Sequence, residues 1–406
     1  MFMTTIIQNT LVKKSSFWAV TLLVSGTCIG GGMLALPIQT ANAGFFTALF
    51  GILLSWGFMT FTGLLLVEAT LWIKNETHFT SLSRILIGKK TRAIALLVYL
   101  FMNYTSLVGY TAGGAALIEN WVASAMGINI PYESCCLLFT LAFGSMIYLG
   151  AYYIGKINLL FMVGLAIAYC GLVSFGIGYV NPTNLVFLPS MTHGIGIFSM
   201  ILATFSYQMV VPSLCSQLGY DAKQLKKAII IGTSLPCIIY VFWIFIIHGV
   251  VPLEGVNGLQ AALDRGASST EPLRAHFNHW SLSILADLFA LFAIVTSYLG
   301  LSLALFYFLK DSFGELKINL NKNIIILSSL IPTLILAMLF PTALIKCLDM
   351  SGGYGDTILS GLIPIGMVWM GRYKKGLKGD FTVPGGKLTL VVAATFYLGV
   401  LIIQMI

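Results

Sequence analysis

Long apolar runs separated by short polar, basic segments set the pattern of this chain. The apolar runs fall at about 16–43, 45–73, 93–124, 134–151, 157–180, 194–217, 228–250, 281–309, 323–340, 354–372 and 386–406. Each is long enough, at roughly 20 residues, to cross a bilayer as a helix. The pattern therefore predicts an all-α integral membrane protein with eleven transmembrane helices in one polytopic domain. The first run is too long and too rich in glycine for a cleaved signal peptide and is read as mature structure.

Two runs do not read as continuous helices. The first contains Ser25-Gly26-Thr27-Cys28-Ile29-Gly30-Gly31-Gly32-Met33-Leu34-Ala35-Leu36-Pro37, with Gly26 and Gly30–Gly32 close together and Pro37 just beyond. Each glycine costs about 1 kcal/mol against alanine inside a helix, and proline lacks a backbone donor. In lipid, unwound backbone survives only where protein or a water-filled cavity covers it. A break here is thus a candidate binding site, with free amides and carbonyls as ligands. The alternative is close helix packing, which small residues also permit. The sixth run repeats the anomaly as Ala203-Thr204-Phe205-Ser206-Tyr207-Gln208-Met209-Val210-Val211-Pro212. Interrupted helices heading each of two five-helix blocks are the mark of an inverted-repeat transporter. Because five is odd, the second block enters the membrane from the opposite side.

Composition agrees with this class. Hydrophobic residues make up 58%, charged residues 9%, and mean hydropathy is +0.93, against about 25% charged residues in soluble domains. With the N-terminus inside, all but Arg265, Arg274 and Lys346 of the 22 basic residues fall in cytoplasmic segments, which predicts an N-in, C-out topology. The net charge of +8 follows from that bias and gives no reason to expect nucleic acid. The cysteines Cys28, Cys135, Cys136, Cys170, Cys215, Cys237 and Cys347 have neither metal-site nor disulfide spacing. The histidines His78, His193, His248, His276 and His279 fall in loops or at span ends. No catalytic, metal or phosphate-binding motif is present, so neither an enzyme nor a cofactor is expected.

Several further positions carry candidate chemistry. Glu68 lies near the cytoplasmic end of the second span, and Asp287 and Glu119 lie in or near others. Carboxylates inside membranes are functional by default, although Glu68 could also be an interface residue reaching water. Asn103, Ser106, Tyr110 and Gly114 share one stripe of the third span. The stripe, with Tyr104 beside it, lines either a cavity or a packing seam. Thr296 and Ser297 pair hydroxyls in the eighth span; they suit a cation, or simply the carbonyls of the preceding turn. The segment from Lys74 to Arg92 reads as a short surface helix with Phe79, Leu82, Ile85 and Leu86 on one face. The outer segment from Val251 to Ser281 is long enough to fold as a lid.

The stretches GTCIGGGMLALP, LLLVEATLWIKNETHFTSL and VVPSLCSQLGYDAKQLKKAIIIG resemble the hydroxy/aromatic amino acid permeases of the amino acid–polyamine–organocation superfamily, in particular the bacterial tyrosine- and tryptophan-specific ones. The resemblance covers nearly the whole chain. It implies a LeuT-type 5+5 inverted repeat, with residues 16–180 and 194–372 as the repeats and 386–406 as an extra helix. It also implies proton-driven import of an aromatic amino acid, tyrosine foremost, across a bacterial inner membrane. The substrate carboxylate would meet amides of Gly30, Gly31 and Gly32, at the positive end of a half-helix. The ammonium would meet carbonyls around Gly26, Thr27, Cys28, Phe205 and Ser206. The ring would lie among Phe205, Tyr207 and Tyr104 or Tyr110, with Ser206 or Gln208 available to a phenol hydroxyl. Glu68 matches a glutamate of the family's LLxE stretch and becomes the first candidate for proton coupling, with Asp287 second. Two departures stand out. Gln208 replaces a histidine common in the family, and the interior of the fifth span lacks the lysine of some proton-coupled relatives. Sodium coupling through Thr296 and Ser297, another neutral amino acid as substrate, and a channel or sensor of the same fold remain alternatives. The oligomeric state is left open.

Overall fold

The computed structural model describes residues 15–74, 78–186, 194, 196–277, 280–315 and 320–406. Of the residues named above, His193 and His279 lie outside these ranges. Among the described residues the protein is helical, without strands. Among the described residues eight helices are long and apolar enough to cross a membrane, or nine when one bent pair is counted as a single span.

The bent pair is the first span. Helix α1 (Phe17–Cys28) stops at the glycine run, and α2 (Gly32–Gln39) resumes at 50° to it. Ser16 caps α1 by accepting from the Ala19 amide. Then come α3 (Gly44–Trp72), the short α4 (Phe79–Leu86) and α5 (Lys89–Met126). Helix α4 buries Phe79, Leu82 and Leu86 as expected, whereas Ile85 is exposed and leaves that face.

The fourth and fifth apolar runs form one nearly unbroken helical stretch from α6 (Tyr132–Phe139) to α7 (Gly150–Gly176). The chain changes course at Gly150, whose φ of 79° suits glycine. The sixth span is again interrupted. Helix α8 (Phe198–Thr204) ends before Phe205-Ser206-Tyr207, a 3-10 turn covers Gln208–Val210, and α9 (Val211–Gln217) follows. Next are α10 (Ala222–Val250), the outer-segment helices α11 (Leu259–Arg265) and α12 (Thr270–His276), then α13 (Trp280–Glu315) and α14 (Lys322–Leu339). Helix α15 (Ala343–Met350) runs without a stop through a wide π-helical stretch, Ser351–Leu362, into α16 (Ile363–Trp369). The chain ends in α17 (Gly386–Met405).

Burial separates the centre of this bundle from its rim. Two-thirds of the sixth span (67%) is buried inside the protein, against 22% of α17. Rim helices expose large apolar side chains such as Leu97, Leu159, Ile167, Leu388 and Ile402. Such surface is stable in lipid, where exposed apolar groups carry no hydration cost. Together with the helix lengths it makes this a multi-pass membrane protein. The two interrupted helices occupy the centre: α2 packs on α8 and on α10, and Tyr240 of α10 reaches the end of α8.

Candidate functional site

The two breaks meet. Cys28 and Thr204 end the first halves of their helices, so their carbonyls have no partner in their own helix. Both accept from a single hydroxyl, that of Tyr240 on α10, at 2.6 and 2.9 Å. Phe205 lies edge-on to the Tyr240 ring, 5.2 Å between centroids, and is fully buried.

On the other side of the first break, the Gly31 amide donates to Ser297 Oγ of α13 at 2.9 Å. The amides of Gly30 and Gly32 have no backbone acceptor among the described residues. They are free donors at the positive end of α2. The missing donor of Pro37 is also supplied from α10: the Met33 carbonyl, which that amide would have capped, accepts from Trp243 Nε1 at 2.9 Å.

The glycines also serve close packing. A Cβ on Gly30 would collide with Ser297 Oγ, one on Gly31 with the Tyr110 ring, and one on Gly32 would lie 3.2 Å from Thr204 Cγ2. The two roles weighed from the sequence therefore coexist: the backbone is broken, and three neighbours press directly on it.

The second break is held by its own side chains. Ser206 Oγ donates to Asp356 Oδ1 at 2.6 Å, and Ser360 Oγ donates to the same oxygen at 2.8 Å. Tyr207 OH and Gln208 Nε2 each donate to the Met59 carbonyl of α3 at 3.1 Å. Gln208 Oε1 accepts from the Tyr207 amide.

Of the residues read from the sequence, Cys28, Gly30, Gly31, Gly32, Tyr110, Phe205, Ser206 and Ser297 come together here. Others do not. Gly26 faces Met162, and the Thr27 hydroxyl turns back to the Val24 carbonyl. Tyr104 points away, donating to the Ser328 carbonyl of α14 at 2.7 Å. Tyr207 and Gln208 aim at α3, so their polar tips are engaged in helix packing. Thr296 bonds the Ala293 carbonyl in its own helix. The stripe on α5 is mostly a seam: Ser106 bonds Ser351, and Gly114 admits the Phe139 ring. Only Tyr110 on that stripe reaches the break.

Both coupling candidates have arginine partners. Glu68 is fully buried, but Arg372 holds it through two bonds of 2.7 and 2.5 Å, and the Val383 amide adds a third at 2.7 Å. Its charge is balanced by a fixed guanidinium, the geometry of a structural lock between α3 and the chain after α16. Removing one partner would leave the other buried and unpaired, at a cost of about 3–5 kcal/mol. Asp287 pairs with Arg274 of the outer segment at 3.3 Å. The Ser269 amide of that segment donates to the Leu34 carbonyl of α2 at 2.9 Å. At the basic end, a cavity of about 520 Å³ is lined by His78, Arg92, Tyr99, Asp311 and, just past the second break, Met209 and Val210.

Sequence reasoning passed over Tyr240, Trp243 and Asp356. Nothing separates the first two from other buried aromatics of an apolar chain. Asp356 carried a signal, being a carboxylate inside the predicted tenth span.

Comparison with known proteins settles the family. Residues 13–404 match the sequence model of the tryptophan/tyrosine permease family. The chain belongs to that family. Its relatives include tyrosine-specific transport system 1 of Haemophilus influenzae, 29% identical over 94% of each chain. A low affinity tryptophan permease of Escherichia coli K12 is 28% identical over 96% of this chain and 95% of its own. A tyrosine permease of Enterobacter agglomerans is 24% identical over 97% of each. These proteins are transport permeases rather than enzymes.

Proposed function

We propose that the protein is a secondary active transporter of the bacterial inner membrane that imports an aromatic amino acid, tyrosine foremost, by proton symport with alternating access. The observation that carries the reading is the meeting of the two breaks, with the free amides of Gly30 and Gly32 on one side and the carbonyls of Cys28 and Thr204 on the other. Those amides suit a substrate carboxylate. The two carbonyls suit an ammonium, which would compete with the Tyr240 hydroxyl that they now accept. Phe205 and Tyr110 offer aromatic faces beside them. The names of the relatives support an aromatic side chain.

The fold fits a LeuT-type 5+5 arrangement, with residues 16–180 and 194–372 as the repeats and α17 outside them. Dividing the helical stretch 132–179 at Gly150 and counting 343–374 as one span brings the number to the expected eleven. With the basic end as the cytoplasmic one, the cavity at Met209 and Val210 opens inward. The Arg274–Asp287 pair and the outer segment close the opposite path. This is the arrangement of an inward-facing carrier.

The test is uptake by the purified protein in proteoliposomes under imposed proton or sodium gradients, with tyrosine, phenylalanine and tryptophan as substrates and serine and leucine as competitors. Accumulation above equilibrium, driven by the proton gradient and competed by aromatic amino acids alone, is expected. Uptake that follows only the sodium gradient would replace the driving ion. Equilibration without accumulation would make the protein a passive channel.

A further inference from the structure

The carboxylates that lie in the spans differ in what neutralises them. Glu68 has Arg372, and half-buried Asp287 has Arg274. Asp349 has no cation among the described residues, but both its oxygens accept, Oδ1 from Ser199 and Oδ2 from Gln404. Asp356 has no cation among the described residues either. Its side chain is 1% exposed; Oδ1 accepts from Ser206 and Ser360, and Oδ2 has no partner. A buried carboxyl group with an unsatisfied oxygen and no counter-charge is costly to keep ionised. It is retained where its change of charge is used.

Its position is specific. Asp356 sits in the π-helical stretch Ser351–Leu362, and such widened turns are frequent at functional sites. Ser206, which it holds, is the middle residue of the second break. The titratable groups facing it from neighbouring elements are Cys28 at the end of α1, Tyr110 on α5 and Tyr397 on α17. None is a base that could neutralise it. Helices α8 and α3 bring it no charged side chain, since Glu68 of α3 is engaged with Arg372.

We propose that Asp356 carries the coupling proton and that Ser206 transmits its protonation to the helix-six break. This rests on the reading of the protein as a proton-driven amino acid transporter. One proton from the outer side binds Oδ2, which has a free lone pair, and converts the carboxylate to the neutral acid. Oδ1 then loses charge, and its bond from Ser206 weakens, because charge-assisted hydrogen bonds are roughly twice as strong as neutral ones. The segment Phe205-Ser206-Tyr207 is released to move with substrate. On the inner side the proton leaves to water, the carboxylate re-forms, and Ser206 is drawn back. One proton crosses per amino acid, and no other bond changes.

The experiment pairs two assays on Asp356→Asn in proteoliposomes: accumulation under an inward proton gradient, and counterflow without one, measured from pH 5 to 8. Tyrosine is the probe, and a trapped pH dye reports proton entry. The wild type is expected to accumulate tyrosine with about one proton per molecule and to show pH-dependent counterflow. Asp356→Asn is expected to lose accumulation and proton entry by at least 10-fold, and to keep counterflow with a flat pH profile. Ser206→Ala should lower the accumulation ratio. If Asp356→Asn accumulates like a proton-driven wild type, the inference falls while the transport reading stands. Loss of counterflow in folded Asp356→Asn also overturns it and makes the residue a ligand of the substrate ammonium. A wild type without proton-driven uptake refutes the transport reading itself. Should Asp356→Asn not fold, Asp356→Glu decides, because the pH midpoint of uptake must move with the carboxyl that titrates. An unmoved midpoint sinks the proposal.

Discussion

The two breaks reach the same backbone outcome by opposite means. The first is made mostly of glycine, and its neighbours do the holding: Ser297 bonds the Gly31 amide, the Tyr110 ring lies on Gly31, and Thr204 lies on Gly32. The second is made of Phe205, Ser206 and Tyr207, and each anchors itself, to Tyr240, Asp356 and the Met59 carbonyl respectively. The first break is therefore set by what presses on it, and the second by what it grasps. A bare backbone can present amides and carbonyls to a ligand and can be displaced only as a unit with its neighbours. A break held by side chains can respond to the charge state of a single partner. On the function proposed above, the contrast suits the first to substrate recognition and the second to switching.

The largest effect is expected where the first break is filled. Gly31→Leu places a branched side chain where even a Cβ would collide with Tyr110, and leucine favours the continuous helix. Tyrosine uptake by the correctly inserted variant should fall at least 100-fold, read in proteoliposomes with insertion checked by surface labelling. Ordinary uptake by an inserted Gly31→Leu protein would mean that neither the packing nor the break matters to transport.

Next comes the residue common to both breaks. Tyr240→Phe keeps the ring against Phe205 and removes the one hydroxyl that serves Cys28 and Thr204. Each buried carbonyl left without a donor costs about 1–3 kcal/mol. We expect roughly a tenfold lower uptake rate and a lower Tm in detergent, with the ranking of aromatic competitors preserved. A change of ranking at unchanged Tm would move Tyr240 from holding the breaks to contacting the substrate.

How much of this was legible in the sequence follows the same division. The glycine run announces its break, because glycine density and Pro37 are local facts that override helix propensity. The second break was legible from its polar cluster and Pro212, but the direction of its side chains was not. Tyr207 and Gln208 look like pocket residues in a one-dimensional reading, yet the turn at 208–210 rotates them onto α3. Glu68 read as a coupling group for the same reason: Arg372 is distant in sequence and adjacent in space. Burial without a counter-charge, with Oδ2 unpartnered among the described residues, marks Asp356, and that is a property of packing. Its presence as a carboxylate in an apolar span is nevertheless a sequence signal.

The smallest effect sharpens the comparison from the side of the first break. Ser297→Ala removes the acceptor of the Gly31 amide and leaves Tyr110 and Thr204 in place. One neutral hydrogen bond contributes about 1 kcal/mol, so uptake should fall about fivefold or less under a proton gradient. The amide set free joins those of Gly30 and Gly32, which partly offsets the loss when a substrate carboxylate is bound; the deficit should therefore appear more in rate than in apparent affinity. The same variant tests the cation reading of the Thr296–Ser297 pair. A hydroxyl that ligated sodium would make Ser297→Ala abolish sodium-driven uptake while Ser297→Thr restored it. In the arrangement described, Ser297 is already occupied by a backbone donor and Thr296 by its own helix, so Ser297→Ala should behave alike in sodium-free and sodium-containing buffer. A sodium-dependent difference between the two would show that the first break holds an ion as well as a backbone.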